Sequence, residues 1–548
     1  MIELSYCFDK GRWIIAIFGY DPKTVKFIKD NFYPALFKKE YKCWYIPFNI
    51  DNYKKLFKKF GNSLHIDELL IEKVRQENSK IKLHDKEQVE IDVPGFDLWP
   101  FQTVGVKFLL DSGGRAILAA DMGSGKSIQT LAYMSITKPF RTLIVCPSSV
   151  KFNWKREINR WLKEQPVIVE ASSPKTVKEA KAVLNHGGII IVNYESVKKL
   201  DTGRVELLVL DEHHLVKTRT ASRTIEVGKV AKKADHIICL SGTPMPNRPN
   251  ELFGVLKMID GANWFSFVNY ATKYCAGHYQ YFYRKKVFRS DGASNLEELK
   301  EKLKPYMIRF EKKDVLKDLP ELRRDNLEVQ LDNYDDYKEE EEALVAEIKN
   351  SKDSISSMIN QVKSDETIPL LVKIDRLQEL TANLKVSPVC KWTKDFLSIS
   401  DNKLVIFARH ISVVNSLRDE LSKFTQVEAI TGETPVPERE NLINDFMADP
   451  ELRVLVLSRV GTLGINLTNA STAVFMERDW SLANEEQAEA RLHRPGQENP
   501  VMIWYAFAPG TIDVNFANLL EEKKHVINKV MNRNQFYSLL VTSLIERS

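Results

Sequence analysis

The chain has 548 residues, of which 43% are hydrophobic and 28% charged, with a formal net charge of +5. That length divides into three or four domains with ample cores, and no apolar run reaches the ~18 residues of a membrane span. The amino-terminal Met1-Ile2-Glu3-Leu4-Ser5 lacks a basic region followed by an apolar core, so neither a membrane partner nor a secretory leader is expected.

Residues 1–60 hold 12 Lys/Arg against 6 Asp/Glu and 16 of the chain's 54 aromatics. Lysines attract phosphates and exposed aromatic faces stack on bases, so the segment suits single-stranded or branched nucleic acid, with Trp13 and Trp44 as candidate stackers. The same aromatics equally suit a small core. Residues 13–18 and 43–47 read as strands, 22–32 and 52–60 as helices. Residues 63–94 turn polar and charge-mixed and read as a linker, with one helix near 66–76.

Between residues 96 and 261, short apolar runs at 115–118, 142–146, 188–192, 207–210 and 236–240 alternate with helix-length stretches. The pattern predicts a parallel sheet wrapped by helices, with ligands at the carboxyl ends of its strands. The first run leads into Asp121-Met122-Gly123-Ser124-Gly125-Lys126-Ser127. Gly123 and Gly125 let the backbone curl so that its N–H groups, with that of Ser124, converge on one anion at a helix N-terminus. Lys126 then reaches the β/γ-phosphates and Ser127 ligates Mg²⁺. Ala120 stands where the outer glycine of a full phosphate-loop pattern belongs.

Asp211-Glu212-His213-His214 follows another apolar run. Asp211 is assigned to the metal and Glu212 to orienting the attacking water, the two acids a phosphate loop needs opposite it. Ser241-Gly242-Thr243-Pro244 ends a further strand, and its hydroxyls suit a link between nucleotide and nucleic acid. Pro147, Ser148 and Ser149, with Tyr194 at the next strand end, are candidate contacts to nucleic-acid phosphates.

Residues 261–389 read as helical and irregular, and 332–366 carry 4 Lys/Arg against 11 Asp/Glu, a solvated helical face. A second alternating segment follows, with runs at 403–407, 427–430, 453–457, 473–476 and 502–505 but no phosphate loop, and is expected to form a partner lobe. In Gln487-Ala488-Glu489-Ala490-Arg491-Leu492-His493-Arg494-Pro495-Gly496-Gln497, Arg491 and Arg494 share one face if helical, and guanidinium groups suit phosphate oxygens. They are the candidate arginine fingers. Six dispersed cysteines, Cys7, Cys43, Cys146, Cys239, Cys275 and Cys390, show no zinc spacing, and reduced thiols are expected.

Leu98-Trp99-Pro100-Phe101-Gln102, the phosphate loop, Asp-Glu-x-His at 211–214 and Ser-Gly-Thr-Pro at 241–244 resemble the ordered motifs of superfamily-two helicases. More narrowly, they resemble the SWI/SNF-type DNA-dependent ATPases, as do residues 307–315 with Phe310 in place of an arginine. Tyr41-Lys42-Cys43-Trp44-Tyr45-Ile46-Pro47 resembles the HepA-related protein (HARP) domain found beside annealing helicases. The resemblance implies an α/β fold of two tandem RecA-like parallel-sheet lobes with helical protrusions and a small α+β amino-terminal domain. The expected divisions are 1–62, 63–95, 96–310, 311–395 and 396–548.

The family assigns adenine recognition to Gln102, counts Gln487 among the nucleotide contacts, and has residues 458–467, including Arg459, Gly461 and Thr462, touch both nucleic acid and nucleotide. ATP and Mg²⁺ are the implied cofactors. Duplex, forked or junction DNA is the implied partner of a monomer, with single-strand-binding or replication proteins as further partners. The implied location is the nucleoid-containing cytoplasm of a bacterial or viral host, or a eukaryotic nucleus. The implied activity is ATP-driven movement on DNA that remodels forks by annealing or branch migration. A strand-separating helicase, a chromatin remodeller and an inactive DNA-binding scaffold are the alternatives.

Overall fold

Apolar residues occupy both faces of Cys43–Pro47, all five of them buried, which requires packing against something on each side of the sheet. The computed structural model describes residues 2–8, 12–82, 91–162, 168–170, 174–200, 202–242, 248–282, 285–316, 319–350, 368–458, 465–479, 482–525, 540 and 542–545. They fall into two units, Met1–Val315 and Leu316–Ser548.

The first unit opens with β1 (Ile2–Phe8), β2 (Arg12–Ile17), β3 (Leu36–Lys38), β4 (Cys43–Pro47) and β5 (Leu64–Ile66) in the order β3-β4-β2-β1-β5. One face packs Ile14, Trp44 and Ile46 against the helices Pro22–Asn31 and Ile50–Phe60. The other places Trp13, Cys43 and Tyr45 against Ala262. Around that contact Asn49 Nδ2 donates to Asn263 Oδ1 at 2.9 Å, and Asn263 Nδ2 donates to the Phe48 carbonyl at 2.9 Å and to Asp260 at 2.9 Å. The small domain is thus bolted to the turn at 260–265. The stretch read as a linker contributes β5 to this sheet and a longer helix than expected, Glu68–Lys82.

Next come β6 (Arg115–Ala120), β7 (Arg141–Cys146), β8 (Ile168–Glu170), β9 (Gly188–Asn193), β10 (Leu207–Asp211) and β11 (His236–Ser241). They are followed by the hairpin β12 (His278–Phe282) and β13 (Lys285–Arg289), and then by β14 (Met307–Phe310). The parallel sheet runs β14-β6-β11-β10-β7-β9-β8. Leu208 and Leu210 face one core and Leu207 and Val209 the other, as a strand covered by helices on both sides demands.

The second unit contains β15 (Leu322–Glu328), β16 (Lys403–Ala408), β17 (Val427–Ile430), β18 (Val454–Ser458), β19 (Ala470–Phe475) and β20 (Val501–Phe507), ordered β15-β20-β19-β16-β18-β17 and parallel throughout. Residues 261–389, read as helical and irregular, hold the helices Tyr334–Asn350 and Ile368–Leu384 but also strands. β15 is a strand of this sheet, its polar Leu-Arg-Arg-Asp-Asn-Leu-Glu sequence tolerated because it is an edge strand with one neighbour and a mostly exposed surface. The hairpin and β14 likewise replace helix in the region read as helical.

Lys385 is fully buried in this unit. Its ammonium donates to the carbonyls of Met476 at 2.5 Å and Ala506 at 3.0 Å and pairs with Asp513 at 2.8 Å. These bonds tie the segment entering the sheet to the ends of β19 and β20. Lys385→Met leaves the Asp513 charge buried without its cation, and the second unit is expected to lose about 3–5 kcal/mol, read as a lowered denaturation midpoint. An unchanged midpoint would show that the pair carries no stability.

Candidate nucleotide site

The site is built at the carboxyl edge of β6, β11 and β10, which lie side by side. Beyond β6 the chain curls through Gly123 (φ +83°) and Gly125 (φ +79°), left-handed conformations that glycine adopts without strain. A Cβ on Gly125 would stand 2.4 Å from Gln102 Nε2. Gln102 lies in the first turn of the helix Pro100–Asp111. Its Oε1 accepts from the Trp99 N–H at 3.0 Å, capping that helix, and its Nε2 donates to the Ser124 carbonyl at 3.1 Å. The residue assigned to the base is thus hydrogen-bonded to the loop assigned to the phosphates. Ser124 closes the turn by donating through Oγ to the Asp121 carbonyl at 2.6 Å.

Lys126 and Ser127 open the helix Lys126–Thr137. The Lys126 ammonium donates to the Ala120 carbonyl at 2.7 Å and reaches the Asp121 carbonyl at 3.4 Å. Gln129, buried one turn on, donates to the carbonyls of Ser124 and Gly125. Gly105 makes room for it, since a Cβ there would lie 1.9 Å from Gln129 Oε1. Asp121 binds the end of the lobe twice: its N–H donates to the Phe310 carbonyl at 3.1 Å, and its carboxylate accepts from the Lys312 N–H at 2.8 Å.

Asp211 ends β10 and is held from two sides. The Trp154 indole N–H donates to its Oδ2 at 2.8 Å, and the Tyr194 hydroxyl donates to its backbone carbonyl at 2.7 Å. Glu212 then turns left-handed (φ 52°, ψ 53°), so its carboxylate accepts from Ser241 Oγ at 3.1 Å and lies 3.2 Å from His214 Nδ1. Burial raises the Asp211 carboxyl, and the neighbouring Glu212 charge adds to it; the indole bond and Lys126 pull the other way without offsetting them. Burial acts on Glu212 too, but the His214 bond, the Lys126 charge and Ser241 outweigh it and hold its carboxyl low. His213 is buried and neutral, held down to about 3 by burial and then by His214.

The oxygen donors fit the implied groups. Ser127 and Asp211 are hard ligands suited to Mg²⁺ that keeps waters and nucleotide phosphates as its remaining partners. Among the described residues no three His, Cys, Asp or Glu side chains gather into a cage of their own.

Three expected nucleic-acid contacts are corrected by burial. Trp13 and Trp44 are 8% and 7% exposed and serve the two cores flanking the amino-terminal sheet, so neither offers a face to a base. The exposed aromatics there are Tyr20, Tyr33, Phe37, Tyr41 and Phe57. Tyr194 is 1% exposed and supports Asp211 instead. Pro147 and Ser148 lie at the end of β7, where Ser148 is exposed and accepts from Asn193 Nδ2 at 3.0 Å. Ser149 lies in the same short turn, and its side chain is outside the described residues. So are Arg459, Gly461 and Thr462, and the Thr243-Pro244 part of its motif.

In the second unit the helix Leu482–Glu489 carries Gln487 but stops before the arginines. Arg491 and Arg494 lie in the tight turns that follow, through Arg491 N–H to Ala488, Leu492 N–H to Glu489 and Gln497 N–H to Arg494, each at 3.0 Å. Pro495 disfavours helix at Arg494, the residue before it, in line with that arginine's departure from the helical expectation. The intervening side chains are structural anchors. Glu489 takes Arg324 of β15 and the Tyr505 hydroxyl of β20, at 2.6 Å each, and His493 Nε2 lies 2.8 Å from the Pro320 carbonyl. Trp154, Gln129, Gly105 and Glu489 lay outside the sequence-derived functional set. Only the indole one turn into a helix opposite an acid pair offered a signal.

These features define a nucleotide-binding α/β protein of the phosphate-loop kind with a paired-acid motif, joined to a second parallel-sheet unit. The SNF2-related domain is matched over residues 101–381 and the helicase conserved C-terminal domain over residues 385–496. The chain belongs to the SNF2-related family. It is 31% identical over 444 residues to the DNA annealing helicase and endonuclease ZRANB3 of Bos taurus, covering 79% of this chain and 40% of that protein. It is 34% identical over 446 residues to a SWI/SNF-related matrix-associated actin-dependent regulator of chromatin subfamily A-like protein 1 homolog of Caenorhabditis elegans, covering 79% and 62%. The chain therefore spans about half the length of such relatives. The Sulfolobus solfataricus SWI2/SNF2 ATPase core in complex with dsDNA aligns over 84% of this chain and 98% of its own, at 22% identity and a TM-score of 0.40.

The buried Tyr194 bond separates a positioning role from a DNA contact. Tyr194→Phe leaves a buried carbonyl without its donor, at a cost of about 1–3 kcal/mol, and is expected to slow ATP turnover while leaving equilibrium binding to duplex DNA unchanged. Lost duplex affinity with normal turnover would return the tyrosine to the DNA surface.

Proposed function

We propose that the protein is a DNA-dependent ATPase that moves along duplex or branched DNA and remodels forks by annealing or branch migration. The observation that carries this is the convergence, at one sheet edge, of the Lys126 loop with Asp211 and Glu212, in a chain whose second unit bears Arg491 and Arg494. In this reading Gln102 meets the adenine, and Lys126 leaves the loop carbonyls for the β/γ-phosphates. Gly123, Ser124 and Gly125 offer backbone donors. Ser127 and Asp211 would hold Mg²⁺, whose contribution there would be charge neutralisation at the phosphates.

Glu212, kept ionised by His214 and Ser241, orients the attacking water. Arg491 and Arg494, the candidate fingers, and Gln487 are the second unit's proposed contribution to turnover, through which hydrolysis is coupled to motion on the strand. Such fingers contribute roughly 10³–10⁵ in rate in related chemistry. Phosphate-release assays with and without DNA test this. Lys126→Ala and Arg494→Ala are each expected to abolish DNA-stimulated turnover, and near-normal turnover in either overturns the mechanism.

The amino-terminal domain is proposed as the grip that prefers branched DNA, through its exposed Lys23, Lys39, Lys42, Lys58 and Lys59 and its exposed Tyr20, Phe37 and Tyr41. Because it is bolted to the first lobe at Asn263, its interior cannot be removed without baring Ala262. Charge reversal at Lys39 and Lys42 is the cleaner test. ATPase on plain duplex is expected to persist while preference for forks falls, and an unchanged preference assigns that surface another role.

A further inference from the structure

We infer that the hairpin β12–β13 is a second DNA-binding element, one that stacks on a single-stranded stretch beside a branch. The inference rests on the DNA-translocase reading above, but its test does not. Residues 276–290 contain four Lys/Arg and no Asp or Glu. The hairpin stands as a sheet of two strands, an arrangement of marginal stability by itself.

Its root is clamped. Phe288 packs edge-on to Phe267 at 6.3 Å, the Arg219 guanidinium lies 3.4 Å over Phe267, and Asn250 Nδ2 donates to the Ser290 carbonyl at 2.9 Å. Ser294 Oγ accepts from the Ala276 N–H at 2.9 Å, and Asp291, the nearest carboxylate along the chain, faces Arg248 at 3.8 Å. The outer half is anchored by none of these. Register pairs Tyr279 with Phe288 and Tyr281 with Lys286, so Tyr279, Tyr281 and Lys286 share one face.

Tyr281 is 70% exposed and Tyr279 50%, and the Lys286 ammonium sits 4.2 Å over the Tyr279 ring and 5.9 Å from that of Tyr281. Tyr279 also packs edge-on against Phe288 at 5.0 Å, whereas a cation–π contact at so exposed a site is worth about 0.5–1 kcal/mol, too little to account for leaving the Tyr281 ring in water. Exposed rings beside a cation on one face of a two-stranded ribbon match the recognition of single strands, in which bases stack on aromatics and phosphates meet lysine. The complete lack of carboxylates at 276–290 supplies the charge complementarity.

The test uses the full chain, with fluorescence anisotropy on a fork bearing a single-stranded arm and on a blunt duplex of equal length. Tyr281→Ala is expected to weaken binding to the armed fork about tenfold and to leave the duplex unchanged. Tyr281→Phe keeps the stacking face and is expected to bind like the parent. Lys286→Ala is expected to lower the slope of log affinity against log salt by about 0.7 on the armed fork.

Circular dichroism identical to the parent's qualifies each variant; if Tyr281→Ala fails to fold, ultraviolet cross-linking of the parent to bromodeoxyuridine in the arm decides, with adducts expected within 276–290. Equal affinity of Tyr281→Ala and parent for the armed fork, equal loss on both DNAs, or adducts confined to other segments overturns the inference. A parent that binds DNA without DNA-stimulated ATPase overturns the translocase reading and leaves this one standing.

Discussion

The nucleotide site depends on the order in which three strands lie. With β11 between β6 and β10, the phosphate loop and the acid pair are two strand spacings apart, roughly 9–10 Å, with Ser241 of the middle strand between them. That gap suits a polyphosphate and its cation, and long side chains span it. The Lys126 charge is felt by both Asp211 and Glu212, and Ser241 donates across to Glu212. The order is enforced by cores on both faces, for any displacement of β10 would carry Leu207 to Leu210 out of two packed layers at once.

How the acids are held explains why they differ. Two adjacent carboxyls buried together cannot both be ionised cheaply. Asp211 has an indole N–H as its side-chain partner and keeps a raised affinity for a proton. Glu212, turned into the left-handed region, has a hydroxyl, a histidine and a lysine, and stays charged. One dipeptide therefore offers two unlike groups, set by which way each side chain leaves the strand.

The residues of the candidate nucleotide site were legible because they are telling residue types gathered at strand ends: glycines with a lysine, and paired acids. The central strands were legible for the related reason that burial on both faces leaves unbroken apolar runs. What composition could not reveal is which aromatic faces outward. Trp13, Trp44 and Tyr194 lie next to basic or site-forming sequence, yet each fills a core, while Tyr279 and Tyr281 drew no notice in a stretch without a motif. Edge strands such as β15 escaped because a single neighbour does not impose an apolar pattern. The turn bearing Arg491 and Arg494 escaped because spacing alone does not separate a helix from successive tight turns, although Pro495 was in view.

Asp121 has a consequence of a different kind. It is the first residue beyond β6, and its main chain and carboxylate hold Phe310 and Lys312, just before the first unit ends at Val315. The anion-binding turn and the strap leading out of the lobe are therefore joined by a link one side chain long. A substitution at Asp121 would disturb the turn and the exit of the chain from the first unit together, since its carboxylate accepts the Lys312 N–H and its own N–H donates to the Phe310 carbonyl.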